Sequence, residues 1–301
     1  MGDVQPEHRP VLVEAILRGL APCPGQVILD GTVGLGGHAE ALLPLIMPAG
    51  RYIGLDLDEA MLGQARARLT GRFGSGLELH QASFADFPRV LERLGLRAVD
   101  HMLLDLGVNS AQLGDPARGF SFEHDGPLDM RYDRAQELRA VDLVNRLSEP
   151  ELADLFYNNA QEGASRKIAR RICQVRHEAR ITTTLALAQA VASVHAAGGR
   201  LHPATRVFQA LRIAVNDELD NLRFFLEQVV KFLRPGGRLA VISFHSLEDG
   251  IVKRFLRAAK SAGTLAEITR RPVIADQAER KSNPRSRSAK LRVAEHVEIP
   301  S

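Results

Sequence analysis

The tightest limit on the fold comes from the first 106 residues, where short apolar runs alternate with helical patterns. Gln26–Asp30, Arg51–Asp56, Leu77–His80 and Val99–Leu106 read as buried strands. Between them, His38–Met47, Asp58–Leu69 and Phe87–Leu94 carry helical spacing, the first stopped near Pro48 and Gly50. Strand and helix in this order predict a parallel sheet covered by helices on both faces. Right-handed crossovers then bring the carboxyl ends of the strands to one rim.

After Leu106 the rhythm breaks. Asn109–Asp133, rich in Gly, Asp and Pro, reads as an ordered loop, and Glu137–Ala196 carries only helical patterns, with Ser148 a cap ahead of Glu149-Pro150-Glu151. Strand and helix return late: Asp217–Phe232 as a helix, Leu233–Gly237 as a turn, Arg238–Phe244 as a strand and Glu248–Ala259 as a helix. From Thr264 onward the strand patterns are weak and broken by the basic segment Arg280–Arg292. The expectation is an α/β, Rossmann-like domain in two parts, 1–108 and 206–301, interrupted by a helical subdomain at 109–205.

Composition excludes more than it selects. No run of eighteen apolar residues is present, and the acidic start Met1–Pro10 does not read as a secretory signal. Cys23 and Cys173 stand far apart, so neither a disulfide framework nor a zinc site is expected, and a cytoplasmic setting fits. The net charge of +3 names no partner, but its distribution is uneven. Residues 163–180 hold six Lys/Arg against Glu178 alone, and 251–301 hold twelve against five acids. Such clusters suit a phosphate backbone or simply a solvated face.

The sharpest motif is Asp30-Gly31-Thr32-Val33-Gly34-Leu35-Gly36-Gly37-His38, set between a strand and a helix. Its glycines allow a tight turn and close approach by a bulky ligand, and the helix start beyond offers free N–H groups. Gly34-x-Gly36-x-x-Ala39, with Asp56 about twenty residues on, also satisfies the dinucleotide fingerprint, so an NAD-dependent dehydrogenase is a rival. Two acids lean toward a methyl donor. Asp30 closes the first strand, where it could meet the ammonium group of a methionine moiety, and Asp105 closes the fourth. Asp56 could accept ribose hydroxyls, Asp58 could cap the next helix, and Phe84 could stack on adenine or serve as plain core.

Longer segments carry a family resemblance. Gly34–His38, Asp105–Leu113, Arg118–Phe122, Asp125–Arg131, His202–Ile213, Val215–Leu219, Ile242–Asp249 and Asn283–Arg292, with His8–Leu12 at the start, resemble the ribosomal RNA small-subunit methyltransferase H (RsmH/MraW) family, in the same order along the chain. The resemblance implies a Rossmann-like S-adenosylmethionine-dependent methyltransferase with an inserted helical subdomain suited to RNA recognition. It further implies methylation of the N(4) amine of a cytidine in the decoding region of 16S ribosomal RNA. Donor contacts carried onto matching positions are Gly36, Gly37, His38, Asp56, Phe84, Asp105 and Gln112. Gly34 and Asp30 join them from the loop itself. The chain departs from the family pattern at Ala39, Asn109, Gly250 and Asn158–Gly163, the last two bearing on RNA contacts or insert packing.

A sulfonium methyl is electrophilic enough to react without a metal, so the expected work is positioning and acceptance of an amine hydrogen. Asp105 is the first candidate for that acceptor and His245 the second, although His245 could equally organise a strand end. Arg206, Arg212, Lys253, Arg285, Arg287, Lys290 and Arg292 are candidate RNA contacts. A non-catalytic RNA-binding assembly factor on the same fold is the remaining rival, with small-subunit rRNA or the assembling subunit as partner.

Overall fold

The structure is a computed structural model that describes residues 10–194 and 202–298. The family-like start at His8–Arg9 and the expected end of the helical stretch at Ala196 lie outside those residues. The chain divides into two compact units, one made of 1–107 and 219–301, the other of Val108–Glu218.

In the first unit, α1 (Val13–Leu20) precedes β1 (Val27–Asp30), α2 (Gly37–Ile46), β2 (Arg51–Asp56), α3 (Glu59–Phe73), β3 (Leu77–Gln81), α4 (Phe87–Arg93) and β4 (Val99–Asp105). The second unit carries α5 (Ser110–Gly114), α6 (Ala140–Arg146), α7 (Glu149–Ala160), α8 (Ser165–Glu178), α9 (Thr184–Ala192) and α10 (Ala204–Val215). The chain then returns through α11 (Glu218–Phe232), β5 (Leu233–Ser243), α12 (Ser246–Ser261), β6 (Leu265–Glu267), α13 (Gln277–Ser282) and β7 (Lys290–His296).

The seven strands form one sheet in the order β3-β2-β1-β4-β5-β7-β6. β1 to β5 run parallel, and β7 lies antiparallel between β5 and β6. The expected parallel sheet therefore acquires an antiparallel edge, which the weak strand patterns after Thr264 did not disclose. β1 is buried at every residue and β4 from His101 to Leu104, as strands covered on both faces must be. Their apolar side chains join Leu42, Leu43 and Ile46 of α2 and Leu62 and Leu69 of α3 in one core.

The turn expected at Leu233–Gly237 sits inside β5. Leu233 pairs with Val99 and Arg238 with His101, so the residues between bulge out of the ladder. The expected loop at 109–133 is ordered by its own charges. Arg118 donates to the carbonyls of Arg131 and Tyr132, and Arg131 grips Asp129. Asn216 accepts from Tyr132 N–H and donates to the carbonyl of Met130.

The helical unit has its own core, built from Leu152 and Phe156 of α7, Ile168 and Ile172 of α8, Leu187 of α9 and Val207 and Leu211 of α10. Because α10 buries its apolar face there, this unit runs on to Glu218 rather than ending near 205. Ser148 caps α7 in a reciprocal box with Glu151, as the Ser-x-x-Glu spacing predicts.

Candidate active site

β2, β1 and β4 are neighbours in register, Asp30 lying beside Gly54 on one side and Leu103 on the other. Their carboxyl ends therefore place Asp56, Asp30 and Asp105 along one rim, with adjacent strands about 4.8 Å apart. The glycine loop arches over this rim between β1 and α2. At Gly31 a Cβ would meet Leu104 at 2.5 Å and the Phe84 Cβ at 2.7 Å, so the loop can lie this close to the sheet only with glycine. Gly36 stands at the start of α2 with φ of 78°, a left-handed conformation that any larger residue adopts at a cost.

One hydrogen-bonded chain ties the rim together. The Tyr52 hydroxyl donates to Asp30 Oδ2 at 2.6 Å, and Thr32 N–H donates to Asp30 Oδ1 at 3.0 Å. Thr32 Oγ1 accepts from the Asp105 amide at 2.6 Å. His38 Nε2 lies 3.3 Å from Asp105 Oδ2. Asp56 receives Gly34 N–H on one oxygen and Asp58 N–H on the other, at 2.8 and 2.9 Å. Asp58 in turn caps α3 through Ala60 N–H, the role its position suggests.

Electrostatics separates these acids. Asp30 is buried, and burial lifts its carboxyl above the usual range despite the bonds from Tyr52 and Thr32. The Tyr52 hydroxyl is driven well upward by its own burial and by the Asp30 charge, so it stays a donor. Asp56 is pushed up to about 6, chiefly by desolvation, which outweighs its two amide bonds. At His38, burial works against the imidazolium, but the hydrogen bond and charge of Asp105, with Asp30 and Glu279 behind, prevail and raise its pKa. On this rim His38 Nδ1 and Asp105 Oδ1 are among the buried side-chain atoms that have no hydrogen-bond partner within the described residues, as is His245 Nε2.

Several expected contacts are spent elsewhere. Asp30 is 1% exposed and both its oxygens accept bonds within the protein, so it braces the loop from beneath. His245 accepts Glu248 N–H on Nδ1 while Glu248 takes Phe244 and His245 N–H in return, a capping box that starts α12. Arg212 is locked on Glu218 by two bonds at 2.7 and 2.8 Å, and Arg292, 6% exposed, donates to Asp249 at 2.7 Å. Cations held this closely by a carboxylate are poor candidates for phosphate contacts. Lys290 lies 3.5 Å from the same Asp249, and Arg206 sits 3.9 Å from Glu162. Lys253 and Arg287 are exposed, and Arg285 is half-buried.

Phe84 is half-buried and meets Phe225 of α11 edge-on at 6.0 Å. Gln112 belongs to the helical unit, where its side-chain oxygen accepts Asn109 N–H and completes the cap of α5. Sequence reasoning missed Thr32 and Tyr52. A tyrosine inside an otherwise apolar strand was the available signal, since a buried hydroxyl needs a partner.

A glycine turn over parallel strand tips, with an acid ending each of three neighbouring strands, defines a Rossmann-like fold that binds a nucleoside cofactor. More narrowly, the family model described as the MraW methylase family matches residues 5–297, and the chain belongs to that family. A protein of Syntrophotalea carbinolica named ribosomal RNA small subunit methyltransferase H is 46% identical, over 95% of this chain and 96% of its own length. Proteins of the same name from Trichlorobacter lovleyi and Deinococcus deserti are each 47% identical, the alignments covering 96% and 97% of this chain and 98% and 94% of theirs. Membership sets aside the dehydrogenase reading of the glycine loop. The residues suit the donor: Asp56, half-buried at the β2 tip, keeps lone pairs beyond its two amide bonds, and Asp105 keeps a buried oxygen without a partner on the same rim.

Proposed function

We propose that this protein methylates the exocyclic N(4) amine of a cytidine in small-subunit ribosomal RNA, in the decoding region, and does so in the cytoplasm. The names of the full-length relatives support the ribosomal RNA substrate. The observation that carries the amine chemistry is the partnerless Asp105 Oδ1 at the tip of β4.

S-adenosylmethionine supplies an electrophilic methyl group on sulfur. Asp56 would accept the ribose hydroxyls, Phe84 would border the adenine, and the backbone of Gly34, Gly36 and Gly37 would hold the donor beside them. A cytosine amine is a weak nucleophile because its lone pair is delocalised into the ring. Asp105 Oδ1 accepts one amine hydrogen, which favours a pyramidal nitrogen and holds it in line with the methyl carbon. With the donor bound, Asp105 Oδ1 would take the proton that the nitrogen sheds once methylated. His38 holds the other carboxylate oxygen, so the accepting atom keeps its aim. A stacked base would hide its amine, so the target cytidine is single-stranded or splayed out.

Nucleoside mass spectrometry of small-subunit rRNA from cells with and without the gene tests this reading. N(4)-methylcytidine should fall on deletion and return with the wild-type gene but not with Asp105→Asn. Unchanged N(4)-methylcytidine would remove the assigned target. A protein that binds rRNA and transfers no methyl group would instead be a non-catalytic assembly factor.

A further inference from the structure

Of the six cations between 163 and 180, three are already engaged. Arg170 pairs with Glu149, Arg171 donates to Ser193 Oγ, and Arg176 donates to the carbonyl of Val144. Arg166 and Lys167 are exposed and have no ion-pair partner among the described residues. Both line a cleft of about 650 Å³ between α7 and the start of α8, within the helical unit. Opposite them stand Tyr157, 61% exposed, and Asp154. Tyr157 is the most exposed large apolar or aromatic side chain among the described residues. The neighbouring Asn158–Gly163 is the stretch where this chain departs from its family's pattern.

The parts of the cleft are chemically sorted. A free aromatic face offers a stacking platform for any base. Two unpaired cations on the facing wall suit a phosphate, and the positive end of the α8 dipole acts in the same sense. Asp154 repels phosphate from the tyrosine side and can accept a hydrogen from a base amino or imino group. Its volume lies within the range of about 300–1,000 Å³ usual for small-molecule sites, which suits a nucleotide. An acidic protein segment would use the cations but would leave the carboxylate on the tyrosine wall opposed.

We infer that this cleft is a subsite for one single-stranded nucleotide of the RNA substrate, its base on Tyr157 and its phosphate on Arg166 and Lys167. The inference rests on the ribosomal RNA reading above and adds a contact that lies outside the methyl-transfer residues.

The test is filter binding of a labelled single-stranded fragment of 16S rRNA and of purified small subunits, with S-adenosylmethionine affinity measured in parallel. Tyr157→Ala should weaken RNA binding about tenfold, while Tyr157→Phe, which keeps the ring, should bind like the parent. Arg166→Ala combined with Lys167→Ala should flatten the plot of log affinity against log salt by roughly 0.7 per lost cation. Donor affinity should not move in any of them. Parental affinity and salt slope in both the tyrosine-to-alanine and the double variant would overturn the subsite, as would equal loss in Tyr157→Phe and Tyr157→Ala. If the parent itself binds neither RNA, the ribosomal RNA reading fails first.

Discussion

Asp105 and Asp56 end the two strands that flank β1 on the rim, yet their surroundings give them different work. Asp105 has one oxygen toward His38 and one bare, and an acceptor of this kind contributes about 10²–10⁴ in rate. Asp105→Asn should therefore lower kcat at least about a hundredfold with an unchanged circular dichroism spectrum, whereas near-parental turnover would remove it as the acceptor. Burial pushes the Asp56 carboxyl up to about 6, and in the proposed function ribose hydroxyls bind its charged form. Protonation of Asp56 thus competes with the donor. Between pH 8 and 6 affinity should hold, and below about 6 it should fall, approaching tenfold per pH unit, with the effect absent from Asp56→Asn. In the donor-free protein the sign is opposite: a raised carboxyl pKa makes the native state bind the extra proton, so this group's contribution to stability falls as pH rises from about 4 to 6. Tyr52→Phe strips the buried Asp30 carboxylate of one donor and should cost about 1–3 kcal/mol in urea unfolding. The acids at strand ends could be read from the sequence because each follows an apolar run. Tyr52 and Thr32 could not, because their partners are fixed by the register of β1 against β2 and β4.

At the scale of elements, legibility followed local chemistry. The Ser148 and Asp58 caps stand where the sequence puts them, since a cap depends on residues two or three positions away. The α12 cap was harder, because histidine is not a customary cap residue, and His245 looked as much like a base as a brace. Its backbone N–H and Nδ1 bond Glu248 as a brace does, while Nε2 is buried without a hydrogen-bond partner. His245→Asn, which retains a cap acceptor, should keep kcat within a few-fold of the parent; a large kcat loss with normal stability would restore it to the chemistry. Gly250 lies inside α12, where an added Cβ would approach only the mobile end of Arg254, at 3.2 Å. Gly250→Ala should raise stability by roughly 0.5–1 kcal/mol, measured by thermal melting. The antiparallel β7 was the least legible strand, because the basic run Arg280–Arg292 masks its alternation until Arg292 is seen paired with Asp249.

For the whole molecule, the alternating first hundred residues foretold the sheet, and the loss of alternation foretold the helical unit. The division after α10 was not foretold. An amphipathic helix announces that it has an apolar face but not which core receives it, and α10 gives its face to α7 and α9. Charge has the same limit: the six cations of 163–180 look alike in sequence, and only their partners separate the engaged from the free. What unites these observations is a rim of strand-end acids on which Asp105 Oδ1 is buried without a partner, and the proposed function gives that oxygen an amine hydrogen. The most direct measurement is transfer of labelled methyl from S-adenosylmethionine to purified small ribosomal subunits, with the RNA digested and its nucleosides separated. The label should appear as N(4)-methylcytidine with the wild-type protein and be reduced at least about a hundredfold with Asp105→Asn. Label on a different nucleoside, or equal labelling by both proteins, would contradict the account.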